Sequence, residues 1–339
     1  MSSLAATFVR TARSLDRVWL AILLTFSVLV AGVPEQAASS LAFTLDSMLT
    51  MLPFLLLSVA AAAYVKASGA ESLVARAFQG RMLPMIGAAA VLGALSPFCS
   101  CGVIPLVAAL LAMGVPLPPV MAFWLASPLM DPSMFMVTAG TLGLPFAVAK
   151  TAAAVGVGLL GGLGTAFLVR SGRLRQALRP EVRQAADGRT LPSGRVAWRF
   201  WSDAARRAAF AEGALRNAKL LAKWLTLAFL LESLMVAYVP AEIVARAVGG
   251  EGVVPIVVAT LVGIPAYLNG YAALPLVAGL VGQGMSPGAA MAFLVGGGVT
   301  SIPAALAVQA LVRWPVFLAY LGFALGGSVT VGLTYGLIA

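Results

Sequence analysis

Seven stretches of this chain, about 18–33, 41–65, 119–140, 145–169, 220–240, 286–308 and 314–338, are apolar over a membrane-crossing length. A hydrocarbon core of roughly 30 Å takes about 20 residues of helix, and it offers a backbone no partner but itself. Two further apolar stretches, about 82–113 and 253–283, are interrupted in the middle, the first at SPFCSCG and the second at IPAYLNGY. Charged residues make up 10% of the chain and the mean hydropathy is +0.98, against about 25% charge in ordinary soluble domains. These features read as an all-α polytopic membrane protein.

The N-terminal segment, residues 1–40, carries basic residues ahead of an apolar run and has the outline of a secretory leader. Its apolar run is long and no clear cleavage site precedes PEQAASS, so it is read as an extra N-terminal transmembrane helix that is retained. The net charge of +10 is concentrated in residues 10–17 and 170–223, with a third basic stretch at 66–81. In a membrane protein such stretches mark cytoplasmic segments and attract anionic lipid. The bilayer, and not nucleic acid, is therefore the expected partner, with the N-terminus and a basic loop at 170–219 in the cytoplasm. Residues 204–223, AARRAAFAEGALRNAKLLAK, read as an amphipathic surface helix leading into the next span.

Two cysteines and no histidine exclude a four-ligand structural zinc site, a histidine proton relay, a Ser-His-Asp triad and a disulfide framework. No GxxxxGK[ST] motif is present, which argues against ATP hydrolysis by this chain. No cofactor and no enzyme activity are expected.

Slid against itself by 170 residues, the chain places IPLVAALLAMG on LPLVAGLVGQG, Pro105 on Pro275 and Met121-Ala122-Phe123 on Met291-Ala292-Phe293. Pro145 then falls on Pro315 and Gly156 on Gly326 without a gap. The expected organisation is two repeats, 41–169 and 220–339, each with a broken hairpin, about 82–113 and about 253–283. If 82–113 crossed once, the basic 170–223 segment would be delivered outside. A hairpin that enters and returns leaves it inside, and the second unit then starts from the cytoplasm with its own hairpin entering from the outside. The repeats are therefore expected to be inverted, the design of secondary transporters whose cargo binds where broken helices meet. Irregular backbone at membrane depth is tolerated only against protein or a water-filled cavity. The breaks at Pro97, Gly102, Pro105, Pro128, Pro132, Pro265, Gly270, Pro275 and Pro303 are thus predictions of a site.

PFCSCGVIPL, the SPLMDPS segment, GIPAYLNGYAALPL and FLVGGGVTSIPA resemble the bacterial organoarsenical efflux permeases and their YraQ-like relatives over about residues 45–338. The resemblance implies a permease for small solutes, with trivalent organoarsenicals as the best-known cargo.

The candidate site residues follow from chemistry at the breaks. Cys99 and Cys101 in an unwound turn can aim two soft thiolates at one thiophilic atom without permanent metal, whereas in a regular helix they diverge. As small buried hydrophobes they would simply pack. Ser100 either contacts cargo or permits close packing. Asn269 and Tyr271 align with Cys99 and Cys101, giving a hydrogen-bonding wall opposite a soft one. Alternatively, Asn269 caps its own turn, and Tyr267 and Tyr271 sit in an interfacial belt. Asp131, in SPLMDP, is read as a cargo ligand or coupling-proton carrier, or as the N-cap of the helix resuming at Pro132. Thr300 and Ser301 fall at the matching place in the second repeat. Glu232 lies well inside its span and suits proton exchange. Asp46 is read as interfacial, and Lys150 as snorkelling to the membrane surface.

These residues, taken with what the resemblance implies, lead to the expectation of a secondary permease in the bacterial cytoplasmic membrane exporting a small thiophilic solute held between the two breaks. Another small sulfur-containing or anionic solute is the alternative cargo, and a homo-oligomer is compatible with the design. The rival classes are a membrane thiol oxidoreductase, against which the Cys-x-Cys spacing argues, a passive channel, and a structural subunit.

Overall fold

The computed structural model describes residues 17–69, 80–96, 100–112, 114–174, 196–238, 248–250, 252–266, 270–301, 305, 308–309 and 311–339. Within them lie twelve α-helices, one 3-10 turn at Phe200–Ser202 and no strand. The helices are α1 (Arg17–Gly32), α2 (Pro34–Ser68), α3 (Met82–Leu95), α4 (Ser100–Ala112), α5 (Leu117–Ala126) and α6 (Pro132–Leu142). They continue as α7 (Leu144–Arg170), α8 (Ala204–Tyr238), α9 (Val253–Ala266), α10 (Gly270–Gly282), α11 (Pro287–Thr300) and α12 (Trp314–Ile338).

Proline starts several of these helices, since its missing N–H is one that the first turn cannot use. Pro118, Pro132, Pro145, Pro287 and Pro315 all stand in the first two positions. Pro132 is thus a helix start, reached through the break at 127–131, which divides the apolar stretch 119–140 into α5 and α6. Gly143 turns α6 into α7 at φ +91, a backbone region open to glycine.

α8 departs from expectation. The surface helix at 204–223 and the span from 220 are one continuous helix of 35 residues, because nothing from Ala204 to Tyr238 stops it. Gly213 lies against Ala63 of α2, where a Cβ would come within 3.9 Å, and α8 packs along α2.

Helix boundaries recur at a constant interval. Pro34 and Ala204, Ser100 and Gly270, Leu117 and Pro287, and Leu144 and Trp314 start helices 170 residues apart. Ser68 and Tyr238 end helices at the same interval, as do Ala112 and Gly282. Close contacts recur with the boundaries. A Cβ on Gly93 would meet the Phe123 carbonyl oxygen at 2.8 Å, and one on Gly263 the Phe293 carbonyl oxygen at 2.6 Å. A Cβ on Gly162 would meet Ile86 at 2.5 Å and Ala122 at 2.9 Å, while one on Gly332 would meet Ile256 at 2.8 Å and Ala292 at 2.7 Å. Glycine is needed at these four places because helix backbones approach to touching distance, the usual basis of association where apolar surroundings give no hydrophobic drive.

α7 and α12 cross antiparallel. Phe146 meets Tyr335 edge to face at 5.3 Å, Val157 lies against Gly327, and Gly164 against Phe323. α2 and α8 are antiparallel too, with the Arg206 guanidinium donating to the carbonyl oxygens of Ala67 at 3.1 Å and Ser68 at 2.9 Å. α3 starts beside Gly162 through Ile86 and reaches Phe123 at Gly93, while the Pro118 carbonyl at the start of α5 also lies at Gly162. Gly250, just before α9, bridges Met285, just after α10.

The buried centre is built from Trp124, Met121, Leu125, Phe293, Met291 and Tyr320. Among the exposed large hydrophobic side chains leucine and valine dominate, including Leu23, Leu45, Leu83, Leu92, Leu163 and Leu318. That outer surface matches a hydrocarbon solvent.

Candidate functional site

In the first half the end of α3 meets the break at 127–131. α3 stops at Leu95 because Ser96 turns to extended backbone (φ −82, ψ 132), its N–H bonding the Gly93 carbonyl oxygen. The Ser96 hydroxyl donates to that same oxygen at 2.7 Å and lies 2.8 Å from the hydroxyl of Ser127, the C-cap of α5. The end of α3 is thereby tied to the break at 127–131, at whose far side Asp131 stands as the N-cap of α6. Asp131 Oδ1 accepts from the Met134 N–H at 2.8 Å and the Ser133 hydroxyl at 2.6 Å. Pro128 is half-buried in the turn, whereas Leu129 and Met130 are buried.

α4 begins at Ser100, so Cys101 and Gly102 are helical and the unwound turn expected over 96–102 is shorter. Gly102 costs a first helical turn only about 1 kcal/mol. Pro105 and Pro275, each the sixth residue of its helix, interrupt neither α4 nor α10, since each forfeits a single backbone bond. Pro265 likewise lies inside α9. Cys99, Pro97, Asn269, Tyr267 and Pro303 lie outside the described residues, as do the side chains of Ser100, Cys101, Tyr271 and Glu232.

In the second half α11 runs unbroken through Gly296–Gly298 to Thr300. These glycines stay helical in a fully buried setting, where the Thr260 carbonyl would stand 3.0 Å from a Cβ on Gly296. The break comes later, at Ser301, the half-buried C-cap. Thr300 is buried and its hydroxyl donates to the Gly296 carbonyl oxygen at 2.8 Å. The two halves meet here. Trp124 and Tyr320 stack at 5.1 Å, the Tyr320 hydroxyl donates to the Val299 carbonyl oxygen, and α10 packs on α6. α10 thus lies against the helix that Asp131 caps.

Lys150 overturns its expected place. It is 0% exposed, and its Nζ has no hydrogen-bond partner among the described residues. Distance from a helix end suggested snorkelling, but the face decides. Lys150 shares its side of α7 with Phe146, Ala147, Ala153, Ala154, Val157 and Gly158, all buried. That run of Ala and Gly at helical spacing is the sequence signal that marks a packing face and could have identified it. Asp46 is exposed.

A family profile, ArsP_1, described as a predicted permease, matches residues 36–337. The UPF0718 protein MJ0584 of Methanocaldococcus jannaschii is 23% identical over 296 residues, covering 74% of this chain and 81% of that protein. The UPF0718 protein YcgR of Bacillus subtilis is 32% identical over 87 residues, 26% of this chain and 30% of that protein. No solved structure matches the chain significantly. With the helices and their apolar outer surface, the span of the profile match makes this chain a membrane protein of the ArsP_1 predicted-permease family.

Proposed function

We propose that the chain is a secondary permease of two inverted halves, exporting a small thiophilic solute such as a trivalent organoarsenical across the bacterial inner membrane. The family favours a transporter over an enzyme. The observation that carries the reading is the contact of Val157 with Gly327. Residues one interval apart touch on antiparallel helices, as they would beside a two-fold axis lying in the membrane plane. The recurring helix boundaries and glycine contacts support the same duplication. Hairpins that enter and leave on one side are supported by Ile86 and Pro118 sharing Gly162, and by Gly250 pairing with Met285. Arg206, capping the end of α2 at the start of α8, gathers basic residues at one end, which supports a cytoplasmic position for that end.

In this reading the cargo rests between the hairpin tips. Cys99 and Cys101, at the junction of α3 and α4, supply soft ligands. Ser100, Asp131, Asn269, Tyr271, Thr300 and Ser301 complete the cavity, and Asp131 or Glu232 carries a coupling proton. The test is resistance and uptake in cells lacking their own arsenic exporters, with methylarsenite and phenylarsine as cargo and a non-thiophilic solute as control. Protection by wild type that disappears in C99S or C101S, at normal membrane expression, is the expected result. Protection unchanged in both variants removes the thiols from the mechanism, and no protection by wild type removes arsenic.

A further inference from the structure

We propose that Lys150 is the cation of an anion site at the 127–131 break, taking the singly charged group of a small monoanion. The inference rests on the permease reading only in naming cargo as one source of that group. An ammonium withdrawn from water without a partner is strongly unfavourable, and a protein offsets this by pairing it. Lys150 Nζ is fully buried and has no hydrogen-bond partner among the described residues. Its counterpart one interval on, Tyr320, is satisfied by the Val299 carbonyl oxygen in the last turn of α11. The equivalent stretch of the first half, 127–130, has left the helix, and Lys150 reaches no such oxygen.

Asp131 supplies a countercharge but no bond: its Oδ1 accepts from the Met134 N–H and the Ser133 hydroxyl, and neither carboxylate oxygen is hydrogen-bonded to Lys150 Nζ. That standing negative charge favours a monoanion, because it repels a second charge on the ligand. A lipid phosphate is a poor match, since Lys150 lies on the inward face of α7 among Phe146, Ala147, Ala153 and Ala154. The anion comes either from a free halide or from an anionic group carried by the cargo.

The experiment is thermal unfolding of the full chain in nanodiscs at constant ionic strength on a gluconate background. Chloride, methanesulfonate and sulfate are titrated against wild type, K150M, K150R and D131N. Wild type should gain a saturable rise in melting temperature with a monoanion and little with sulfate. K150R should keep the response. K150M should lose it while melting above wild type in the absence of added monoanion, because an unpaired charge has gone. D131N should bind roughly five- to tenfold more tightly, the effect of removing one screened like charge. Saturation by chloride identifies a free inorganic anion, and a response to methanesulfonate alone identifies a cargo group. A K150M response equal to wild type, or no response of wild type to either monoanion, overturns the site. If D131N melts well below wild type and does not bind more tightly, Lys150 is serving Asp131 and the site is overturned as well. Binding is read without transport, so a chain that binds monoanions but carries nothing would sink the permease reading and leave the site standing.

Discussion

The hydroxyl oxygens of Ser96 and Ser127 lie 2.8 Å apart and join the end of α3 to the end of α5. This bond links the end of α3, just ahead of the cysteines in sequence, to the break that carries Asp131. Polar contacts between membrane helices couple by about 0.6 kcal/mol on average and at most about 1.7. A double-mutant cycle of S96A and S127A, read by reversible unfolding in detergent, should return a coupling within that range. S127A should cost more than an exposed serine does, since Ser127 is buried. Strictly additive losses would mean that the two hydroxyls do not act as a pair.

Glycine substitutions separate backbone contact from simple helix propensity. G93A and G263A drive a methyl to within 2.8 Å and 2.6 Å of the carbonyl oxygens of Phe123 and Phe293. Backbone yields poorly, so each should cost about 1–3 kcal/mol. Gly156 and Gly326 have nothing within 4 Å of an added Cβ, so G156A and G326A should be neutral or gain up to about 1 kcal/mol from helix propensity. Melting temperatures of the four variants check this, and equal losses at all four would refute the contact argument.

How much of this was legible in the sequence depends on which residues set each feature. α12 begins at Trp314 and ends at Ile338, where proline at its start and continuous apolar sequence left little choice. The interval of 170 was readable from Pro105 with Pro275 and Met121 with Met291, because matched packing surfaces need matched side chains. The place of the breaks was less readable. Gly296–Gly298 look like breakers, yet the Thr260 backbone packs on Gly296 and the helix holds. Pro105 looks like one too, but a single proline near a helix start removes only one bond. Lys150 was misplaced for a related reason: sequence gives its distance from the helix end, and only the packed neighbours give its face.

Asp131 caps α6, and one pair of variants can divide that role from the proposed one in proton coupling. As the N-cap of α6 it contributes about 1 kcal/mol, which alanine forfeits and asparagine largely keeps. D131A should therefore lower the melting temperature while D131N stays near wild type. In proteoliposomes with an imposed pH gradient, D131N should abolish pH-driven transport while cargo binding survives, as should E232Q if Glu232 shares the proton path. Transport by D131N and E232Q at the wild-type rate would dismiss proton coupling through either carboxylate.

The proposed inverted arrangement makes opposite demands on two exposed positions. Gly80 precedes α3 and Gln283 follows α10, and both are exposed. With inverted halves the first hairpin opens to the cytoplasm and the second to the outside, so the two positions face opposite solutions. G80C and Q283C, each in a background with Cys99 and Cys101 replaced by serine, can be labelled in intact cells with a membrane-impermeant maleimide. Cys at 283 should react from outside within minutes, and Cys at 80 only after the membrane is permeabilised. Gly80 has open space around its Cα, so the substitution does not disturb packing. Labelling of both positions from the same side would place the two hairpins parallel, and the two-fold relation inferred from Val157 and Gly327 would have to be abandoned.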